Sequence, residues 1–243
     1  MQGNKIFKRI FEDKNRAMRA ILTVSLLSML LFNAAGQQQV YTLNAPSEQL
    51  KVSGNIHVTF HPSDSTYLEY ETKKMPDNLV IEQDKSKLTL KTKTEISQSP
   101  AIKVVLHHTK LSGLEVVRGA VIQSPDTLKY KVLSLKTDTG GKIELTLAAD
   151  SLSARINQGS DIILYGSARS LHVTANTMGN CLAYELETAN AWVKAATGSQ
   201  VKVNTTQYLN ANATGGAFIG YLGKPEDREI KTSLGGKVTQ ESE

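Results

Sequence analysis

The chain has 243 residues, 28 of them Lys or Arg and 23 Asp or Glu, for a formal net charge of +5. Its first 36 residues hold 6 of those cations and 2 of the anions, so the remaining 207 are nearly neutral, with 22 against 21. Such a chain is long enough for a sizeable core and lacks the basic excess of a nucleic-acid binder, and its lone cysteine, Cys181, excludes an internal disulfide.

Residues 1–36 read as a secretory signal peptide. Lys5, Lys8, Arg9, Lys14, Arg16 and Arg19 make a basic start, residues 20–32 are a 13-residue apolar run, and Ala34-Ala35-Gly36 places small residues before a cleavage between Gly36 and Gln37. The run falls short of the about 20 residues that span a bilayer, with an uncleaved anchor helix as the alternative. No cysteine follows it, so no lipid-modified N-terminus is expected. The sequence predicts an exported protein, in the periplasm, on the outer-membrane surface or outside the cell. The mature chain is expected to have no transmembrane segment.

Residues 37–110 alternate with period two. Strands are predicted around Val40 and Thr42, Leu50 and Val52, Ile56 to Phe60, Tyr67 to Glu71, Leu79 and Ile81, Leu88 and Leu90, and Ile102 and Val104. Turn chemistry separates them at Ser53-Gly54-Asn55, His61-Pro62-Ser63-Asp64, Met75-Pro76-Asp77-Asn78 and Gln83-Asp84-Lys85-Ser86. No sustained helical period follows, so the fold class is all-β.

Residues 111–243 repeat. A glycine recurs at Gly119, Gly140, Gly159, Gly179, Gly198, Gly216 and Gly236, at spacings of 18 to 21 residues. Before each glycine, aligned apolar positions run Leu114, Leu133, Leu152, Leu171, Ala191, Leu209 and Ile230, with a second column two residues on, from Val116 to Thr232. After it come Ile143 and Leu145, Ile162 and Leu164, Leu182 and Tyr184, Val201 and Val203, and Ile219 and Tyr221. Strand side chains alternate between faces, so these columns point inward. One such unit cannot bury its own face, whereas a stack can. The sequence therefore predicts a right-handed parallel β-helix of about seven rungs, roughly 34 Å long. Residues 37–110 would form a β-strand region covering one end. An antiparallel sandwich is the competing fold, but it gives no reason for repeated column identities.

Four stretches then stand out: Val52-Ser53-Gly54-Asn55-Ile56-His57-Val58, Leu114-Glu115-Val116, Gly220-Tyr221-Leu222-Gly223-Lys224-Pro225 and Ser233-Leu234-Gly235-Gly236-Lys237-Val238. They resemble the head GIN domain family of auto-transporter adhesins, across essentially all of the mature chain. The resemblance implies an exported β-helical protein of Bacteroides-type bacteria acting in adhesion at the cell envelope. Nothing in the sequence resembles the membrane β-barrel of a true autotransporter, so that transport mechanism is not implied.

Parallel β-helices also carry polysaccharide lyases and glycoside hydrolases, which need carboxylates converging on one cleft. Asp138, Glu144 and Asp161 share no column, so solvated surface charge explains them and no catalytic residue is assigned. No cofactor or metal is expected. His57 and His61 share a strand face about 13 Å apart, His107 and His108 face opposite ways, and Cys181 reads as a small inert residue beside an inward Leu182. The outward positions before the corner are richer, with Lys136, Arg155, Thr174, Lys194 and Asn212 in one column and Ser153, His172, Trp192 and Asn210 in the next. Lys136, Arg155, His172, Trp192 and Lys194 thus form a candidate surface for an acidic glycan or an acidic cell-surface protein, with His172 and Trp192 offering ring faces. Lysines and asparagines also simply keep a β face soluble. Finally, Ser65, Thr127 and Ser151 follow aspartates in triads that resemble O-glycosylation acceptors, all at predicted turns.

Overall fold

Period-two alternation becomes a stack of in-register strands. In the computed structural model, which describes residues 39–43, 47–70, 75–84, 86–93, 100–109 and 111–242, the described residues contain strands and turns and no helix. The signal-peptide segment, with Gly36 and Gln37, lies outside the described residues, as does Glu71. The strands are β1 (Gln39–Thr42), β2 (Gln49–Ser53), β3 (Ile56–Pro62), β4 (Tyr67–Tyr70), β5 (Leu79–Asp84), β6 (Lys87–Thr92), β7 (Ile102–His108) and β8 (Gly113–Val117). The long β9 (Val121–Asp138), β10 (Lys142–Ile156), β11 (Asp161–Ala175), β12 (Asn180–Ala195) and β13 (Gln200–Thr214) follow, then β14 (Phe218–Leu222), β15 (Asp227–Ser233) and β16 (Lys237–Gln240). From β9 to β13 each strand pairs in parallel with the next, giving a parallel β-helix of about seven turns.

Each long strand serves two sheets. Its first half, after the corner, joins a front sheet with β3, β7, β14 and β16, and its second half joins a back sheet with β2, β6, β8 and β15. Between them lies the core. Back-sheet columns such as Leu133, Leu152, Leu171, Ala191 and Leu209 face front-sheet residues such as Ile143, Ile162, Val201 and Ile219, all fully buried. A third inward back-sheet column, Thr137, Ile156, Ala175, Ala195 and Ala213, completes it.

The corners set the period. Each carries two successive residues with positive φ: Arg118 and Gly119, Thr139 and Gly140, Gln158 and Gly159, Thr177 and Met178, Thr197 and Gly198, Gly215 and Gly216, Leu234 and Gly235. Their amides donate to the next corner, as from Gly119 to Thr139 (3.1 Å), Gly140 to Gln158 (3.2 Å), Gly159 to Thr177 (3.1 Å) and Met178 to Thr197 (3.0 Å). Two of the seven aligned glycines are therefore displaced by one. The left-handed position of the fourth corner is Met178 rather than Gly179, and that of the last is Gly235 rather than Gly236. Gly179 and Gly236 instead occupy the next column, Ala120, Gly141, Ser160, Gly179, Ser199, Ala217 and Gly236, where the chain passes close to the preceding rung.

One inward assignment and two registers also differ from expectation. Cys181 and Ala183 face the core and Leu182 faces out, because Ile162 pairs with Cys181 and Cys181 with Val201. At the two ends the register moves by two residues, so Leu114 pairs with Leu135 and Arg228, not Ile230, pairs with Leu209. A two-residue move keeps the same faces inward, which is why the alternation alone did not reveal it.

The N-terminal strands cover one end by extending the stack out of sequence order. β2 lies between β6 and β8, and β3 between β7 and β9, all in parallel. Antiparallel β5 on β6, β4 on β7 and β1 on β4 then close that end. At the other end β15 is exposed along its whole length, with Asp227, Arg228, Glu229 and Lys231 placing charge on its edge.

Two predictions follow from the corners and the core. A Cβ at Gly140 meets nothing closer than 4.0 Å, so Gly140→Ala should cost about 1–2 kcal/mol for the left-handed backbone alone. Gly141→Ala should cost more, because its Cβ would lie 2.8 Å from the Val116 carbonyl carbon, whereas Met178→Gly should stabilise by about 1 kcal/mol. Urea unfolding of the three variants checks this ranking. His108, buried at the capped end, is pushed from 6.5 down to about 4 by burial, against a hydrogen bond with the Ser47 backbone. The unfolded chain therefore binds more protons between those values, and stability should fall as pH drops from about 6.5 to about 4. Melting temperatures across that window should show a shallower slope for His108→Phe.

Candidate functional site

The outward back-sheet columns lie where the sequence alignment put them. Lys136 pairs with Arg155, Arg155 with Thr174, Thr174 with Lys194 and Lys194 with Asn212. Ser153, His172, Trp192 and Asn210 pair in the same way one column over. Strand neighbours sit about 4.8 Å apart, so the five candidate residues share one face. Arg155 and Lys194 are exposed and make no ion pair among the described residues. Lys231, paired with Asn212, continues the column, so Arg155, Lys194 and Lys231 stand on alternate rungs.

Lys136 is different. It shares the Glu115 carboxylate, at 3.3 Å, with Lys51 at 3.1 Å and Lys87 at 3.3 Å. Burial alone would raise the Glu115 carboxyl, but the hydrogen bond and charge of Lys51, with Lys136 and Lys87, hold it below the ordinary carboxylate range. Three ammonium groups around one carboxylate leave a net positive end to the stripe.

The rings also differ from expectation. His172 and Trp192 stack on each other, with centroids 4.4 Å apart and planes 8° from parallel, and Trp192 meets Tyr208 at 5.5 Å and 49°. Rung spacing is close to ring-stacking distance, so planar side chains in one column cover each other's faces and direct their edges outward. In this stack His172 and Trp192 each cover one face of the other. Asn210 beside it donates to Glu229 at 2.8 Å.

Each of the three carboxylates has a partner of its own. Asp138 accepts from Thr139 at 3.0 Å, Asp161 from Asn180 at 2.9 Å, and Glu144 is bridged by Lys142 at 2.9 Å. Among the described residues no group of three or more His, Cys, Asp or Glu is placed to hold a metal. Cys181 is buried, which pushes its thiol up to about 12 and keeps it unreactive. Of the three triad residues, Ser65 is exposed at the bend after β3, while Thr127 and Ser151 lie inside β9 and β10 and not at turns.

Two clusters escaped sequence reasoning. His61 and Tyr67 both pair with His107, and the rings stack, Tyr67 on His107 at 4.3 Å and His61 on His107 at 5.5 Å. Asp126 lies 2.7 Å from His61 and Glu69 3.6 Å from His107. No sequence signal announced this, because the out-of-order pairing of β3, β4 and β7 creates it. The second cluster, on the front sheet, contains Tyr165, Leu182, Tyr184 and Lys202. Its clue was the length of β12, 16 residues from Asn180 to Ala195 against the 15 of β11 that pair with them.

Residues 47–225 match the family described as "Putative auto-transporter adhesin, head GIN domain", and the chain belongs to that family. A "putative adhesin" from Bacteroides fragilis has the same fold, with a TM-score of 0.74 at 15% identity over 84% of this chain and 96% of that one. A "putative lipid binding protein" from Parabacteroides distasonis (TM-score 0.64, 18% identity) and a "putative adhesin" from Parabacteroides merdae (0.65, 14%) each cover 86% of this chain and 98% of theirs. At such identities the likeness is one of fold. No curated protein matches the chain, and among the described residues no helix is long and apolar enough to cross a membrane. Family membership supports an adhesin-like role.

Glu115→Gln should release Lys51, Lys87 and Lys136 from their shared counter-charge. Retention on an anionic heparin column should then shift to higher salt, while melting temperature falls slightly. Unchanged elution would show that this cluster does not meet the ligand.

Proposed function

We propose that the protein is a non-catalytic adhesin of the cell envelope that presents its back sheet to an acidic glycan or an acidic protein surface. The reading rests above all on Arg155 and Lys194, two exposed cations in one column with no ion-pair partner among the described residues, beside the His172–Trp192 stack. Column alignment holds them at fixed multiples of the rung spacing, so a ligand meets them without a large ordering cost. The family description and the leader-like first 36 residues support export, to the periplasm, the outer-membrane surface or the medium. Polysaccharide lyase or glycoside hydrolase chemistry is less favoured, because Asp138, Glu144 and Asp161 are each engaged separately.

A glycan array carrying acidic and neutral saccharides, with acidic surface proteins spotted beside them, tests this reading. Binding to the acidic set is expected, to weaken as salt rises, and to fall at least about tenfold, or about 1.4 kcal/mol, when Arg155, Lys194 and Trp192 are all replaced by Ala. Undiminished binding by the triple variant would discard this face. Protease shaving of intact cells separates a surface location from a periplasmic one.

A further inference from the structure

The front sheet carries a second feature that the adhesive face does not use. β12 carries one residue more than β11 where their register shifts, between Ile163 and Gly166, and its register with β13 shifts twice, between Ala183 and Glu187 and between Thr188 and Asn190. Such bulges re-aim side chains, and here one opens a cavity of about 290 Å³ on the outer surface. Ile163, Tyr165, Leu182, Tyr184, Glu185 and Lys202 line it. Leu182, 38% exposed, is a large apolar side chain left facing solvent.

Tyr184 is held in place from three directions. Its hydroxyl donates to Glu241, beyond the last strand, so the side chain extends along the rod axis across neighbouring rungs. Position 220 is glycine, and a Cβ there would collide with that hydroxyl. The Lys202 ammonium sits 5.2 Å from the ring centroid. Burial, and then the Glu241 hydrogen bond and charge, raise the phenol above its ordinary range, so it stays protonated and keeps donating. Unlike the stacked rings of the back sheet, this tyrosine borders an open cavity together with Tyr165.

We propose that this cavity is a glycan subsite that seats a single neutral pyranose ring. The volume lies near the lower end for small-molecule sites, enough for one ring but not for a long acyl chain. Tyr184, Tyr165 and Leu182 supply the apolar surface that a sugar's C–H face needs. Glu185 accepts from hydroxyl groups and Lys202 donates to them, and their opposite charges cancel, which selects a neutral sugar over a uronate.

Saturation-transfer NMR on the full chain, with the methyl pyranosides of glucose, galactose, mannose and N-acetylglucosamine as separate probes, tests the proposal. At least one is expected to receive saturation at millimolar concentration. Tyr184→Ala, and separately Leu182→Asp, should each weaken its binding by about tenfold or more, with the β circular-dichroism spectrum unchanged because both side chains face outward. Trp192→Ala, on the other sheet, should leave it intact. Absence of transfer to all four probes, or transfer that survives both front-sheet variants, would overturn the proposal. So would loss on Trp192→Ala, which would assign the sugar to the adhesive face instead.

Discussion

Everything in this molecule depends on the hydrogen bonds that pass from one corner to the next. Two successive left-handed residues turn the chain so that an amide of each corner points at a carbonyl of the following one, at 3.0–3.2 Å from Gly119 to Gly216. That contact fixes the distance between rungs, and the strand pairing on both sheets inherits it. Apolar burial then follows, because inward residues separated by one rung spacing touch automatically. The corners tolerate non-glycine residues at their first position, as with Thr139, Gln158 and Thr197. The cost of each strained residue is offset by interactions that repeat along the stack.

The same spacing determines what the surface can recognise. In-register columns place like side chains over like, so rings stack on rings and cations line up with polar spacers. His172 on Trp192 is the direct outcome, and Arg155, Thr174, Lys194, Asn212 and Lys231 form a ruled line of charge. An open concavity requires the register to fail. It fails at β12, where the register shifts against both neighbours and leaves Tyr184 without a column partner on either side, next to the outward Leu182. Regular rungs thus suit extended, repetitive ligands, and the irregular rung suits a compact one.

Much of this was legible in the residues. The all-β class, the parallel coil and the two outward columns follow from alternation and from a period near 20 residues. The fourth rung was misread because Leu182 and Tyr184 look like core residues, while Cys181 and Ala183 are small. Hydrophobicity alone ranks them in the wrong order, and only the strand pairing resolves it. Gly179 misled the corner alignment for a related reason, since its glycine serves close approach to Ile156 rather than a positive φ. The His61, Tyr67 and His107 cluster was invisible because it joins three strands whose spatial order differs from their chain order.

That difference in order has a kinetic meaning. β2 and β3 sit between strands that come later in the chain, so neither can complete its pairing until residues as far as Val121 are available. A chain that becomes available N-terminus first must therefore leave its earliest strands waiting, edges open, while about 60 further residues follow. From β9 onward, by contrast, each coil can dock as soon as it appears. Assembly would proceed sequentially along the rod after one slow, non-local closure at its capped end.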